Sequence, residues 1–336
     1  MIRGLLTGIK SNLIYVVVGS LAAGLAVGQF TGPTAERTLR AAVVPVLFLM
    51  IYPMMINIDL REVVNVRGHA GVVLLSLAVN FVVAPVIAVG LARLFFGGAV
   101  GYAIGLYFIA LIPTSGMTAA WTGLANGDLE SALVAMAVNL LVAVAVLPTY
   151  LSVLIPASVG FDPSALYAQL AQVVILPMVA GTLTRRLLLS RYDTEGFKNL
   201  KPVFGGLSSF GVMLIVFIAM AMRSESILAD PVASAVTIVP IVGFYLLVLA
   251  VGTRLGRVLR DAASGVALVY ATSMRNLSIA IAVVVAAPTI PETAVLPIAL
   301  AYIVQPPLGA FYVQYRRDVV DEGGSLGELV SSRIRS

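Results

Sequence analysis

Ten apolar stretches run through this chain, separated by short polar breaks, and a helix needs about 20 such residues to cross a bilayer. Spans are expected at 12–30, 39–58, 69–95, 100–126, 129–156, 164–188, 200–222, 232–258, 262–287 and 292–316. Hydrocarbon offers the backbone no hydrogen-bond partner, so each span must satisfy its own amides as a helix. The expected fold is therefore an all-α membrane protein of ten transmembrane helices. Its breaks have local causes. Gly32-Pro33 ends the first span, Asp59 with Arg61 and Glu62 ends the second, and Gly97-Gly98 divides the third from the fourth. Gly127 is placed to close the fourth helix and Asp128 to cap the fifth. Pro156 and Asp162-Pro163 bound a short turn, and the stretch from Arg191 to Lys201 reads as the most polar loop.

Composition narrows the function. Of 336 residues, 60% are hydrophobic and 11% charged, against about 25% charged in a soluble protein. The net charge of +5 does not point to nucleic acid, because no basic run is interleaved with aromatics. There is no cysteine and one histidine, His69, at an expected helix end. Disulfides and thiolate metal sites are excluded, and no metal site or cofactor is implied. Paired intramembrane acids, or a nucleophile with its base, are missing as well, so an enzyme is not expected.

Basic residues set the orientation. Sixteen Lys and Arg fall on the side of the N-terminus, against four (Arg37, Arg40, Arg93 and Arg223) on the other. By the positive-inside rule both termini face the cytoplasm, in a multi-pass protein of the plasma or inner membrane. Residues 1–317 form the transmembrane domain, and 318–336 a polar cytoplasmic tail.

The two halves are alike. A shift of about 158 residues lays Thr114-Ser115 on Thr272-Ser273 and Pro148 on Pro306, while Pro85 and Pro240 match within three residues. Repeat 1 covers about 12–156 and repeat 2 about 164–316. Five spans per half is odd, so the second repeat must be inverted, an architecture common in transporters that bind solute at the midplane where broken helices meet.

Two spans look broken. Span four carries Pro113-Thr114-Ser115-Gly116-Met117-Thr118, a proline and a glycine among hydroxyls, which makes poor helix interior. Span nine carries Thr272-Ser273-Met274-Arg275-Asn276. Arg275 is the one charge well inside any span, and an intramembrane charge is expensive enough to mark function. Asn80, Asn139, Gln169, Gln172 and Gln305 are further intramembrane polar residues, as well suited to interhelical bonding as to ligand binding. Gly24-x-x-x-Gly28 and Gly101-x-x-x-Gly105 are small-residue packing motifs.

At these residues the chain resembles the superfamily of bile acid:sodium symporters and arsenite efflux permeases. The resemblance covers about residues 12–316. It rests on Met50-Ile51-Tyr52-Pro53-Met54-Met55 with Ile58-Asp59, on Pro113 to Trp121, on Leu124-Ala125-Asn126-Gly127-Asp128, and on Asn276-Leu277-Ser278-Ile279-Ala280. It implies a panel domain of helices one, two, six and seven, and a core domain of the rest in which helices four and nine cross at their breaks. It also implies alternating access between the two domains. The chain departs from the family pattern at its centre. Thr114 stands where the arsenite permeases carry cysteine, and Asn276 where they carry glutamate. Thr118, Ala119 and Ala271 stand at the sodium-binding positions of the symporters, and Arg275-Asn276 at their Gln-Asn pair.

The expectation is a secondary transporter of a small anionic solute, not coupled to sodium. Arsenite efflux through a cysteine-free site and sodium-coupled organic-anion uptake are the alternatives. The expected substrate-binding residues are Thr114, Ser115, Thr118, Thr272, Ser273, Arg275 and Asn276, with Pro113 and Gly116 breaking the helix. Arg275 either grips the anion or replaces a missing cation. Partners are a small molecule or ion and the lipid bilayer, with the chain a monomer or weak homodimer.

Overall fold

The computed structural model describes residues 13–57, 66–112, 114–222, 224–229, 231–259, 261–287 and 289–316. Pro113, the charged stop at 59–62 and the tail at 318–336 lie outside the described residues. Among the described residues the chain is all-helical, with one isolated pair of bridged residues, Thr114 and Arg275, and no strand. The helices are α1 (Leu13–Gly28), α2 (Pro33–Asn57), α3 (Ala70–Phe95), α4 (Val100–Leu111), α5 (Met117–Leu124), α6 (Leu129–Leu154), α7 (Pro163–Leu170), α8 (Leu176–Met222), α9 (Ser224–Ala229), α10 (Pro231–Val236), α11 (Ile238–Gly256), α12 (Ala262–Ser273), α13 (Leu277–Ala286) and α14 (Val295–Gln314).

Six helices are long and apolar enough to cross a membrane: Thr34–Asn57, Ala70–Phe95, Leu129–Leu154, Glu195–Met222, Ile238–Gly256 and Glu292–Gln314. The shorter α4 and α5 follow one another across a break, as do α12 and α13. Taken end to end, each pair is as long as an unbroken span.

Pro85 is tolerated because the carbonyl it orphans finds a partner. Pro85 has no N–H for the carbonyl of Phe81, one turn back. The helix widens there into a π turn, Val79–Val83, and the Tyr150 hydroxyl donates to the Phe81 carbonyl.

The stretch from Arg191 to Lys201 differs from its expected loop. No residue from Leu176 to Met222 falls outside a helical turn. The chain nevertheless reverses. Gly181 packs on Met55 and Gly211 on Met50. A straight helix would hold these two glycines about 45 Å apart, while their contacts on α2 lie about 7.5 Å apart. The bend is marked by Phe197, whose ring lies 4.8 Å from the Arg185 guanidinium and 5.7 Å from the Lys201 ammonium. Charged side chains such as the Glu195–Lys198 pair, at 2.6 Å, suit a helix surface as well as a loop. Polarity therefore placed the reversal without revealing that it is wound. Both limbs of α8 pack against α2, and its second limb also packs against α1.

The stop after α5 also differs in detail from the expectation. The left-handed residue is Asn126, at φ 52°, rather than Gly127. Asp128 does cap α6, accepting from the Glu130 and Ser131 N–H groups, each at 3.1 Å. Burial acts to raise the Asp128 carboxyl, but the bonds from Ser131 and Glu130 and the nearby His69 together hold it below the ordinary carboxylate range.

Both small-residue motifs are helix contacts. A Cβ added at Gly28 would lie 2.3 Å from the Ala221 carbonyl, and one at Gly105 would lie 2.4 Å from the Ala294 carbonyl. Gly105→Ala should therefore push α4 off the start of α14 and lower stability by about 1–3 kcal/mol, read by thermal unfolding in detergent. Asp128→Ala should cost about 1 kcal/mol through loss of the cap. Because the folded Asp128 titrates below its unfolded value, its contribution should be complete above the ordinary carboxylate pKa and fade as pH falls through the folded one. Unfolding midpoints of both forms, followed into acid, should converge.

Candidate functional site

Two helix breaks meet at the centre of the molecule. α4 ends at Leu111 and Ile112 turns extended, with ψ 137°. α12 ends at Ser273. The two extended pieces pair through the Thr114–Arg275 bridge, and the Ser115 N–H donates to the Met274 carbonyl at 2.8 Å. Backbone groups released by each break are thus taken up by the other, which is what an apolar interior demands.

Side chains complete that accounting. The Gln305 amide on α14 clasps the Arg275 backbone from both sides. Its Oε1 accepts from the Arg275 N–H at 2.8 Å and its Nε2 donates to the Arg275 carbonyl at 3.2 Å. The Tyr245 hydroxyl donates to the same Oε1 at 2.8 Å. Asn80 donates to the Ala271 carbonyl at 3.1 Å and to Asn139 Oδ1 at 2.8 Å, and Asn139 in turn donates to Ser76. Asn276 caps α13, its Oδ1 accepting from the Ile279 N–H at 3.2 Å.

A cavity of about 450 Å³ opens between this crossing and the wall made by α2 and α8. The crossing contributes Ser115, Gly116, Met117, Arg275, Asn276 and Ser278, backed by Tyr302 and Gln305. The opposite wall contributes Met54, Asn57, Lys198, Lys201, Ser208 and Ser209. No carboxylate among the described residues lines it.

The expected site residues fall into two groups. Ser115, Arg275 and Asn276 line the cavity, with Gly116 beside them. Thr114, Thr118, Thr272 and Ser273 are buried at the crossing and do not line it. The Thr272 hydroxyl donates to the Leu268 and Val269 carbonyls, both at 3.0 Å, and the Ser273 hydroxyl to the Val269 carbonyl at 2.7 Å. Those two hydroxyls hold their own helix. Thr118 reaches across to the Tyr270 carbonyl at 3.3 Å. Tyr245 and Tyr302, the latter paired with Ser278 oxygen to oxygen at 3.0 Å, are not among the expected site residues, and Ser278 entered only as part of the family-like segment. The available signal was a phenol inside an apolar span, which needs a partner for its hydroxyl.

Broken helices crossing beside a polar cavity, in a chain of membrane-length apolar helices, define a membrane transporter. The match to known proteins agrees. Residues 44–230 match the model of the sodium bile acid symporter family, and the chain belongs to that family. It is a multi-pass transporter of the membrane and not an enzyme. It is 24% identical over 289 residues to the arsenical-resistance protein Acr3 of Alkaliphilus metalliredigens, covering 80% of this chain and 81% of that one. It is 22% identical over 211 residues to Acr3 of Corynebacterium glutamicum, covering 59% and 57% respectively.

Gln305→Leu should leave the Arg275 N–H and carbonyl and the Tyr245 hydroxyl unpaired in a dry interior. A loss of about 2–4 kcal/mol is expected, read as a lowered thermal midpoint of the purified protein. An unchanged midpoint would mean that water replaces the amide.

Proposed function

We propose that the chain is a secondary transporter of a small anionic solute, working by alternating access and without sodium. Ten spans in two inverted five-helix halves form its membrane domain. α1, α2, α7 and α8 make a panel and the remaining spans a core. The solute binds in the cavity between them, against Ser115, Arg275 and Asn276, while Thr114, Thr118, Thr272 and Ser273 shape the crossing from behind. The observation that carries this reading is the cavity's chemistry. Its lining offers hydroxyls, amides and the cationic residues Lys201 and Arg275, together with Lys198, which is paired with Glu195, and no carboxylate among the described residues lines it. Such a surface neutralises an anion and offers a metal cation no charged ligand. Independence from sodium is supported from the same place. The Arg275 Nη1 donates to the Ile112 carbonyl at 3.4 Å, so a permanent cation stands at the carbonyl end of α4, which carries partial negative charge. The protein is proposed to lie in the plasma or inner membrane with both termini cytoplasmic, as a monomer or weak homodimer.

Arsenite efflux is the second reading, favoured by the two relatives named arsenical-resistance proteins. Against it stands the donor set. The chain has no cysteine, and trivalent arsenic prefers a thiolate to the hydroxyl of Thr114.

One set of assays separates the readings. Proteoliposomes are expected to take up a labelled organic anion saturably, and at the same rate in sodium and in potassium media. The unmodified chain is expected to give an arsenite-sensitive host little resistance. A sodium requirement would overturn the coupling. Strong resistance without anion uptake would replace the anionic solute with arsenite.

A further inference from the structure

Arg275 is 1% exposed and Thr114 2% exposed, and they stand opposite one another in an antiparallel bridge. Residues so paired project their side chains to the same face, with Cβ atoms about 5 Å apart. The Arg275 Nη1 reaches the Ile112 carbonyl, and the guanidinium carbon lies 5.6 Å from the centre of the Phe244 ring. Its other two nitrogens, Nε and Nη2, are buried and have no hydrogen-bond partner among the described residues; nor does the Thr114 hydroxyl. No ion pair to Arg275 forms among the described residues.

Each of these facts has a physical weight. A buried charge without a counter-charge is strongly unfavourable, and the cation–π contact with Phe244 offsets only part of that cost. Nε and Nη2 are the two parallel donors of one edge of the guanidinium fork, the edge that grips an anion from two points. A hydroxyl on the same face supplies a third donor. Three donors and one positive charge, with no acceptor assigned, make a receptor for a single negative group.

We propose that the Arg275 fork and the Thr114 hydroxyl form an anion-binding site inside the helix crossing. The chemistry is that of a compact anion with lone pairs for two or three donors. Two sources share it, a halide from solution and the anionic group of the transported solute. The site exists whichever fills it, so it does not require the solute to be an anion. Filling it neutralises the buried charge and so stabilises the crossing.

The test uses the purified full-length protein in detergent at constant ionic strength, with potassium gluconate replaced stepwise by potassium bromide. In the native chain the thermal midpoint should rise saturably, by on the order of 5 °C. Arg275→Gln should abolish the rise and, in gluconate alone, should be at least as stable as the native chain, because a lone buried charge has been removed. Thr114→Val keeps the charge and should move half-saturation to about tenfold higher bromide. It also carries the test if Arg275→Gln does not fold, since an unchanged half-saturation would then overturn the site. In a second arm, an anion found to be transported is added in gluconate. A shift that needs Arg275 and competes with bromide assigns the site to the solute, and a response to bromide alone assigns it to a co-bound halide. Both support the site. No response to either anion, or equal responses in the native and Arg275→Gln chains, overturns it. A bromide response without transport of any anion would sink the proposed function and leave the site standing.

Discussion

Everything at the centre of this molecule follows from the need to satisfy backbone groups where two helices stop in an apolar interior. Most of the residues at these ends are buried, so their backbone groups must be answered by protein. The extended residues after α4 and after α12 answer one another through the Thr114–Arg275 bridge and the Ser115–Met274 bond. Gln305 and Asn80 close what the bridge leaves open. The polar network is thus a condition of having broken helices at all, and the cavity is lined by what that network leaves facing outward.

This explains why hydroxyls at the break do different work. Thr272 and Ser273 lie in the last turn of α12, where their own helix offers carbonyls within reach, and they take them. Ser115 lies in the extended piece beyond α4. Its Oγ accepts from the Met117 N–H at 3.2 Å, and the residue faces the cavity. Position relative to the helix end, more than residue type, decides which hydroxyl is free for a ligand.

Much of the architecture could be read from the chain because lipid imposes its rule residue by residue. Apolar length placed the long spans, the Pro113–Gly116 segment marked one break, and the lone charge of Arg275 marked the other. What could not be read depends on distant partners. Nothing local distinguishes Gln305, which clasps a backbone 30 positions away, from Gln169, whose Nε2 donates to the Val283 carbonyl. The reversal within α8 was visible as polarity, yet its helical winding was not, because the charged residues there suit both states. Asn126 took the left-handed turn expected of Gly127, a choice between adjacent residues that local preference does not settle.

The two walls of the cavity are each tied internally. The crossing is bound by short directional bonds, and α2 and α8 combine glycine faces on Met50 and Met55 with the Tyr52–Thr184 and Ser208–Met50 hydrogen bonds, each 2.7 Å. Between the walls, the Asn276 amide meets only the Met54 sulfur, at 3.8 Å, a weak and forgiving contact. Thioethers can be re-packed without breaking a strong bond, so this contact ties the two walls only weakly beside the cavity.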